Sequence, residues 1–264
     1  MNLSEKFSEF LAGWNKASRE KFTGHPLASL FRQDLQNEIE NLALESNKSF
    51  KVKASVGSGG WANVPWISIL DPIITTTTQN GVYPVYLFNA DGSGFYLSLN
   101  QGTTIPSQEL GKKAAEERAD ILKVWLLDQI PELSEWGKKS IDLKAETTLG
   151  KSYGKANIVA KYYDSSAIPT SKVLIEDLQF LLDIYKKIGT FDLENLSHSV
   201  SKPLAENTVS LPKPFLLLAG NSGTGKTRFV REQAKDTGSL DETYCLTSVR
   251  PDWHEPSDLL GYTS

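Results

Sequence analysis

The stretch Leu216-Leu217-Leu218-Ala219-Gly220-Asn221-Ser222-Gly223-Thr224-Gly225-Lys226-Thr227 constrains the chain more than any other. From Gly220 onward it fits G-x-x-x-x-G-K-[ST], a loop whose backbone N–H groups wrap the phosphates of a nucleotide. Glycines at 220, 223 and 225 let the backbone turn tightly and approach anionic oxygens with no Cβ in the way. Lys226 would then reach the β- and γ-phosphates, and Thr227 would offer its hydroxyl to Mg²⁺. Arg228 opens a run without helix breakers, whose N-terminal dipole would add to the positive field. The apolar run Phe215–Ala219 before the loop is of buried-strand type, so the motif sits between a strand and a helix.

Only 37 residues follow Thr227. Hydrolysis of a nucleotide also calls for a second strand ending in an acidic residue, which helps hold Mg²⁺ and position water. The later strand candidate, Tyr244–Val249, ends in no carboxylate. From Lys213 to Ser264 there are 52 residues, about the floor for an independent domain. The sequence therefore predicts an incomplete α/β P-loop segment over 214–264, one that does not turn over GTP or ATP by itself.

The preceding residues read differently. Leu3, Phe7, Phe10, Leu11 and Trp14 recur at helical spacing, and Leu27, Phe31, Leu35, Ile39 and Leu42 do so again after Pro26. Phe50–Val56 then alternates apolar and polar residues, the period of a half-buried strand. A Gly-rich loop, Gly57-Ser58-Gly59-Gly60, leads to the strand-like Val64–Leu70, the tract Thr75–Thr78 and the strand-like Val82–Phe88. The turn Asn89–Gly94 joins the last of these to Phe95–Leu99 as a hairpin. Ser107 is placed to cap a long helix bearing Leu110, Ala114, Ile121, Leu122, Trp125 and Leu126. Thr170 or Ser171 would cap another, bearing Leu174, Leu178, Leu181, Leu182 and Tyr185, with Gly189 ending it. Residues 190–213 lose periodicity and read as a linker. Residues 1–189 are thus expected to form an α+β domain, a mainly antiparallel central sheet with flanking helices.

Composition narrows the function classes. Cys245 is the single cysteine, so no intrachain disulfide forms, which fits a reducing cytoplasm. Met1–Lys6 begins an amphipathic helix, and no apolar run approaches the ~20 residues of a membrane span. His25, His198 and His254 share no ligand spacing. The net charge of −4 argues weakly against nucleic acid, but local charge differs. Between 138 and 172 stand seven lysines (138, 139, 144, 151, 155, 161 and 172) against Asp142, Glu146 and Asp164. Tyr153, Tyr162 and Tyr163 are interleaved, a pattern that suits phosphate contact and base stacking. Its plain alternative is a solvated lysine face.

Two sets of stretches resemble one family. Gly57–Trp66, Asn80–Leu87 and Tyr153–Tyr162 resemble the N-terminal DNA-recognition domain of McrB-type modification-dependent restriction proteins. Ala219–Thr227 and Val249–Tyr262 resemble the opening of that family's AAA+ domain. The resemblance implies an N-terminal domain that recognises modified cytosine in double-stranded DNA by rotating the base out of the duplex. It also implies an AAA+ part that binds GTP with Mg²⁺, assembles into rings and recruits an McrC-like nuclease subunit. On that footing Trp66, Tyr83 and Leu87 match pocket or wedge positions, with Tyr83 and Leu87 on one face of their strand. Ser58 falls in the Gly-rich loop where relatives can present an aromatic, and Lys151, Tyr153, Lys155 and Lys161 are candidates for DNA contact. This chain would then carry the recognition domain and the first corner of the motor.

Two other functions fit the same residues. One is a small nucleotide hydrolase or kinase using Lys226 and Thr227. The other is an interaction module whose N-terminal domain binds protein and no DNA.

Overall fold

In the computed structural model, residues 1–191 and Leu193 are described. They lie within the first of the two units into which the chain divides, Met1–Leu196. The expected linker lies almost wholly outside the described residues, and the P-loop segment entirely so.

Helix α1 (Leu3–Ala17) starts where Asn2 Oδ1 accepts from the Glu5 N–H at 3.0 Å while the Glu5 carboxylate accepts from the Asn2 N–H at 2.9 Å. This reciprocal cap satisfies two donors that a helix start leaves open. After a short connection, α2 (Pro26–Ser29) passes through a π-helical turn (Leu30–Leu35) into α3 (Gln36–Ser46). The chain then runs through β1 (Lys51–Ser55), β2 (Trp66–Leu70), β3 (Val82–Phe88) and β4 (Gly94–Gln101). Helices α4 (Thr104–Leu110), α5 (Lys112–Gln129), α6 (Pro131–Trp136) and α7 (Thr148–Lys155) follow, and β5 (Asn157–Asp164) and α8 (Ser171–Ile188) close the domain.

The five strands pair in chain order, β1-β2-β3-β4-β5, every neighbour antiparallel. The sheet expected to be mainly antiparallel is wholly so among the described residues. Register sorts its side chains onto two faces. One face carries Ile67, Ile69, Tyr86, Phe88, Phe95 and Leu97, all at most 1% exposed. Phe7 of α1 stacks on Phe95 with ring centroids 4.4 Å apart, and Phe10 meets Phe88 edge-on at 5.0 Å. This aromatic layer, closed by α8, is the main core. Burying rings of this size supplies most of the driving force for such a domain.

The other face carries Trp66, Ser68, Tyr83, Val85, Leu87, Tyr96, Ser98 and Asn100. It is covered by the segment 138–147 and α7: Tyr96 donates to the Asp142 carbonyl at 3.4 Å, and Asn100 Nδ2 donates to the Tyr153 carbonyl at 3.0 Å.

Two expectations need correction. The helix to be capped by Ser107 is in fact two helices, broken at Gly111, whose φ of 80° an L side chain rarely adopts. Ser107 lies inside α4, and Thr103 precedes its first turn. The buried stripe of α5 is Ala115, Ala119 and Leu126, while Leu110 and Ile121 are exposed. The small alanines let α5 come close enough for Gln101 Nε2 to donate to the Ala119 carbonyl at 2.9 Å. Among the described residues no helix is long and apolar enough to cross a membrane.

Candidate nucleic-acid interface

The β2–β3 register sets Trp66 directly across from Leu87. Leu87 is 2% exposed, whereas Trp66, at the first position of its strand, stays half-buried. Tyr153 reaches the same place from α7. Burial pushes its phenol above the ordinary range, and the neighbouring Trp66 side chain works against that push. An indole and a phenol, both partly open to solvent above a buried leucine, form a surface with apolar faces and polar edges.

Tyr83 belongs to this face but stands deeper. It is 5% exposed, lies across from Asn100, and donates its hydroxyl to the Thr78 carbonyl at 2.9 Å. Burial first, then the neighbouring Tyr153 and Tyr185, hold its phenol strongly protonated. Its role in the fold is to fasten the threonine tract that leads into β3. Thr75 ties the same tract together, its hydroxyl lying 2.9 Å from the Thr77 carbonyl and 2.8 Å from the Asn80 carbonyl.

Ser58 is exposed at the tip of the loop between β1 and β2. The base of that loop is fastened by the Arg32 guanidinium, which donates to the Gly57 carbonyl, and by the Ala62 N–H, which donates to the Val56 carbonyl at 2.9 Å. Beyond the tip, the Trp61 indole donates to the Glu20 carbonyl at 2.9 Å, with its ring edge-on to Trp14, Phe22 and His25.

The lysines part company. Lys151 and Lys155 sit exposed on α7 and line a cleft of about 340 Å³ beside Ser140 and Ile141. Lys155 Nζ pairs with Glu116 at 3.2 Å. Lys161 lies on the opposite face of the sheet, ion-paired with Asp177 of α8 and with its ammonium 5.2 Å from the centre of the Trp136 ring. Lys144 pairs with Asp142 at 2.6 Å and Lys172 with Glu176 at 3.8 Å. The structure thus gathers Trp66, Tyr83, Leu87 and Tyr153, keeps Lys151 and Lys155 on the adjoining helix, and removes Lys161 from the group. Gly220, Asn221, Ser222, Gly223, Thr224, Gly225, Lys226, Thr227 and Arg228 lie outside the described residues.

Sequence reading passed over a set of buried polar side chains. Ser98, Asn100 and Asn157 are each at most 1% exposed, with the Ser98 hydroxyl 2.8 Å from both Asn side-chain oxygens. The Lys123 ammonium donates to the Asn157 carbonyl at 3.0 Å, and burial lowers its pKa. The signal was present in Phe95-Tyr96-Leu97-Ser98-Leu99-Asn100, where polar residues recur at period 2 in an otherwise apolar strand.

An α+β domain with a sequential antiparallel sheet, helices on one face and an aromatic cluster beneath a short helix on the other is the class these observations define. The family described as "MrcB-like, N-terminal domain" matches residues 9–190, and the chain belongs to it. It therefore carries the McrB-like N-terminal domain of a restriction-system family. No curated protein matches the chain closely enough to count as a relative.

Proposed function

We propose that this chain is a DNA-binding specificity module of a modification-dependent restriction system, and that its N-terminal domain takes up a modified cytosine rotated out of the duplex. The observation that carries this reading is the half-buried Trp66 set between Leu87 and Tyr153 in an McrB-like N-terminal domain. An extruded base needs apolar faces to stack on and a few polar groups at its edge. Trp66 supplies a face, Leu87 the floor, and the Tyr153 hydroxyl an edge contact. Lys151 and Lys155 hold phosphates, and Ser58 faces DNA from the loop tip. Tyr83 contributes by holding the threonine tract, and Lys161 by bracing the fold.

The proposal extends to the residues from Gly220 to Thr227, which bind GTP with Mg²⁺ as part of an AAA+ domain: Lys226 on the phosphates, Thr227 on the metal. Ring assembly and an McrC-like nuclease partner follow from the same family reading.

The experiment is a titration of duplexes with and without 5-methylcytosine, paired with thermal melting. Trp66→Ala is expected to lose preference for the modified duplex while keeping weak, salt-dependent binding. A variant that keeps its full preference removes Trp66 from the site. One that melts far below the parent assigns Trp66 to the core. A parent chain that binds neither duplex returns the domain to protein interaction.

A further inference from the structure

Helix α7 is poorly equipped to exist by its own sequence. It has eight residues, two of them glycine, and a lone helix of that length does not persist in water. What holds it is side-chain chemistry from elsewhere in the chain. At its N-terminal end, Asn63 Oδ1 accepts from the Glu146 N–H at 3.0 Å and lies 3.4 Å from both the Thr147 N–H and its hydroxyl. The Thr147 hydroxyl in turn accepts from the Gly150 N–H at 3.1 Å. At its other end, Asn100 Nδ2 donates to the Tyr153 carbonyl. Glycine at 150 permits the close approach, since a Cβ there would lie 2.8 Å from the Ala145 Cβ and 3.0 Å from Asn63 Oδ1.

We propose that Asn63 and Asn100 are positioning residues that clamp the two ends of α7 and so set Tyr153 against Trp66, making the clamp a determinant of base discrimination. The proposal rests on the DNA reading above. Asn63 lies three residues before Trp66, and Asn100 on β4 sits across from Tyr83, so one amide joins the helix to the loop that enters β2 and the other joins it to the strand beside β3. The two amides work through opposite atoms: Asn63 uses only its carbonyl oxygen as acceptor, Asn100 its NH₂ as donor. Aspartate therefore preserves the Asn63 contact, and its charge sits favourably at a helix start. At position 100 aspartate would set a carboxylate against a carbonyl oxygen.

The test uses the full chain with Asn63→Ala and Asn63→Asp, and reads two quantities: affinity for duplexes with and without 5-methylcytosine, and hydrogen exchange of amides 148–155. Asn63→Ala is expected to speed exchange in α7 and reduce discrimination about tenfold, the worth of one net hydrogen bond. Asn63→Asp should keep both near the parent values. Discrimination that survives in Asn63→Ala despite faster exchange overturns the proposal, as does an Asn63→Asp protein that behaves like the alanine variant. Asn100→Asp, if folded by melting, should lose discrimination. A parent chain without preference for either duplex defeats the DNA reading itself, and is told apart because it fails before any substitution is made.

Discussion

Lys161 is ion-paired with Asp177 across the interface of β5 and α8, and Tyr163 donates its hydroxyl to the same carboxylate at 2.8 Å. The carboxylate side chain is 14% exposed and the lysine 33%, so the pair lies between a surface bridge and a buried one. Lys161→Ala is expected to cost on the order of 1–3 kcal/mol of stability, because Asp177 loses its counter-charge while staying largely enclosed. Thermal melting checks this. DNA titrations of the folded variant should give the parent affinity; a selective loss of DNA binding at unchanged melting temperature would contradict the placement.

A second prediction concerns alkaline pH. Burial raises the phenol of Tyr83 above its reference value of 10.0, and it does the same to Tyr86, Tyr163 and Tyr185. A raised acid stays protonated in the fold while its unfolded counterpart ionises, so its contribution to stability is whole below about pH 10 and is lost as pH rises past it. Melting temperature should therefore fall steeply above about pH 10. Tyr83→Phe gives up the bond to the Thr78 carbonyl, about 1 kcal/mol at neutral pH. Its deficit should narrow above pH 10, since one buried phenol fewer remains to ionise. A constant deficit from pH 7 to 11 would argue against this account.

How far the sequence disclosed this fold depended on how far each element is governed by its own residues. Helix α1 was legible because its stripe of Leu3, Phe7, Phe10 and Trp14 faces one core, and the β3–β4 hairpin because its turn residues sit between two apolar runs. Strand β5 was overlooked because Lys161 interrupts an apolar run; its charge is answered by Asp177, far along the chain. Helix α7 was overlooked because its two glycines argue against a helix and its anchors, Asn63 and Asn100, lie in other elements. The candidate site was partly legible for the same reason. Period 2 put Tyr83 and Leu87 on one face, but it could not show that Tyr83 is spent on Thr78, nor that Lys161 faces away.

The loop between β1 and β2 supplies a third prediction. Gly57 has φ of +124°, and a Cβ there would lie 1.9 Å from the Gly60 carbonyl oxygen and 2.7 Å from the Ala62 nitrogen. Gly59 has φ of +73° with nothing within 4 Å of an added Cβ. Gly57→Ala should cost at least about 2 kcal/mol or rebuild the loop, whereas Gly59→Ala should cost only about 1 kcal/mol of backbone strain. Comparing the two melting curves decides it; equal effects would mean the loop's shape is not set at Gly57.

The last prediction separates charge that meets DNA from charge that holds the protein. Lys151 is exposed on α7, and no acidic partner is found for it among the described residues. Lys155 spends part of its charge on Glu116, and Lys161 spends its own on Asp177. A lysine that neutralises a phosphate releases condensed counterions, so removing it flattens the dependence of log affinity on log salt by about 0.9 per contact. Lys151→Ala should therefore weaken modified and unmodified duplexes equally and lower the salt slope by about that amount. Lys155→Ala should do so by less, because the bound state must first break an ion pair, and Lys161→Ala should leave the slope unchanged. Binding isotherms at four or five salt concentrations distinguish the three. If Lys151→Ala left the slope intact while Lys161→Ala reduced it, DNA would have to approach the α8 side of the sheet, and the Trp66 surface would face away from it.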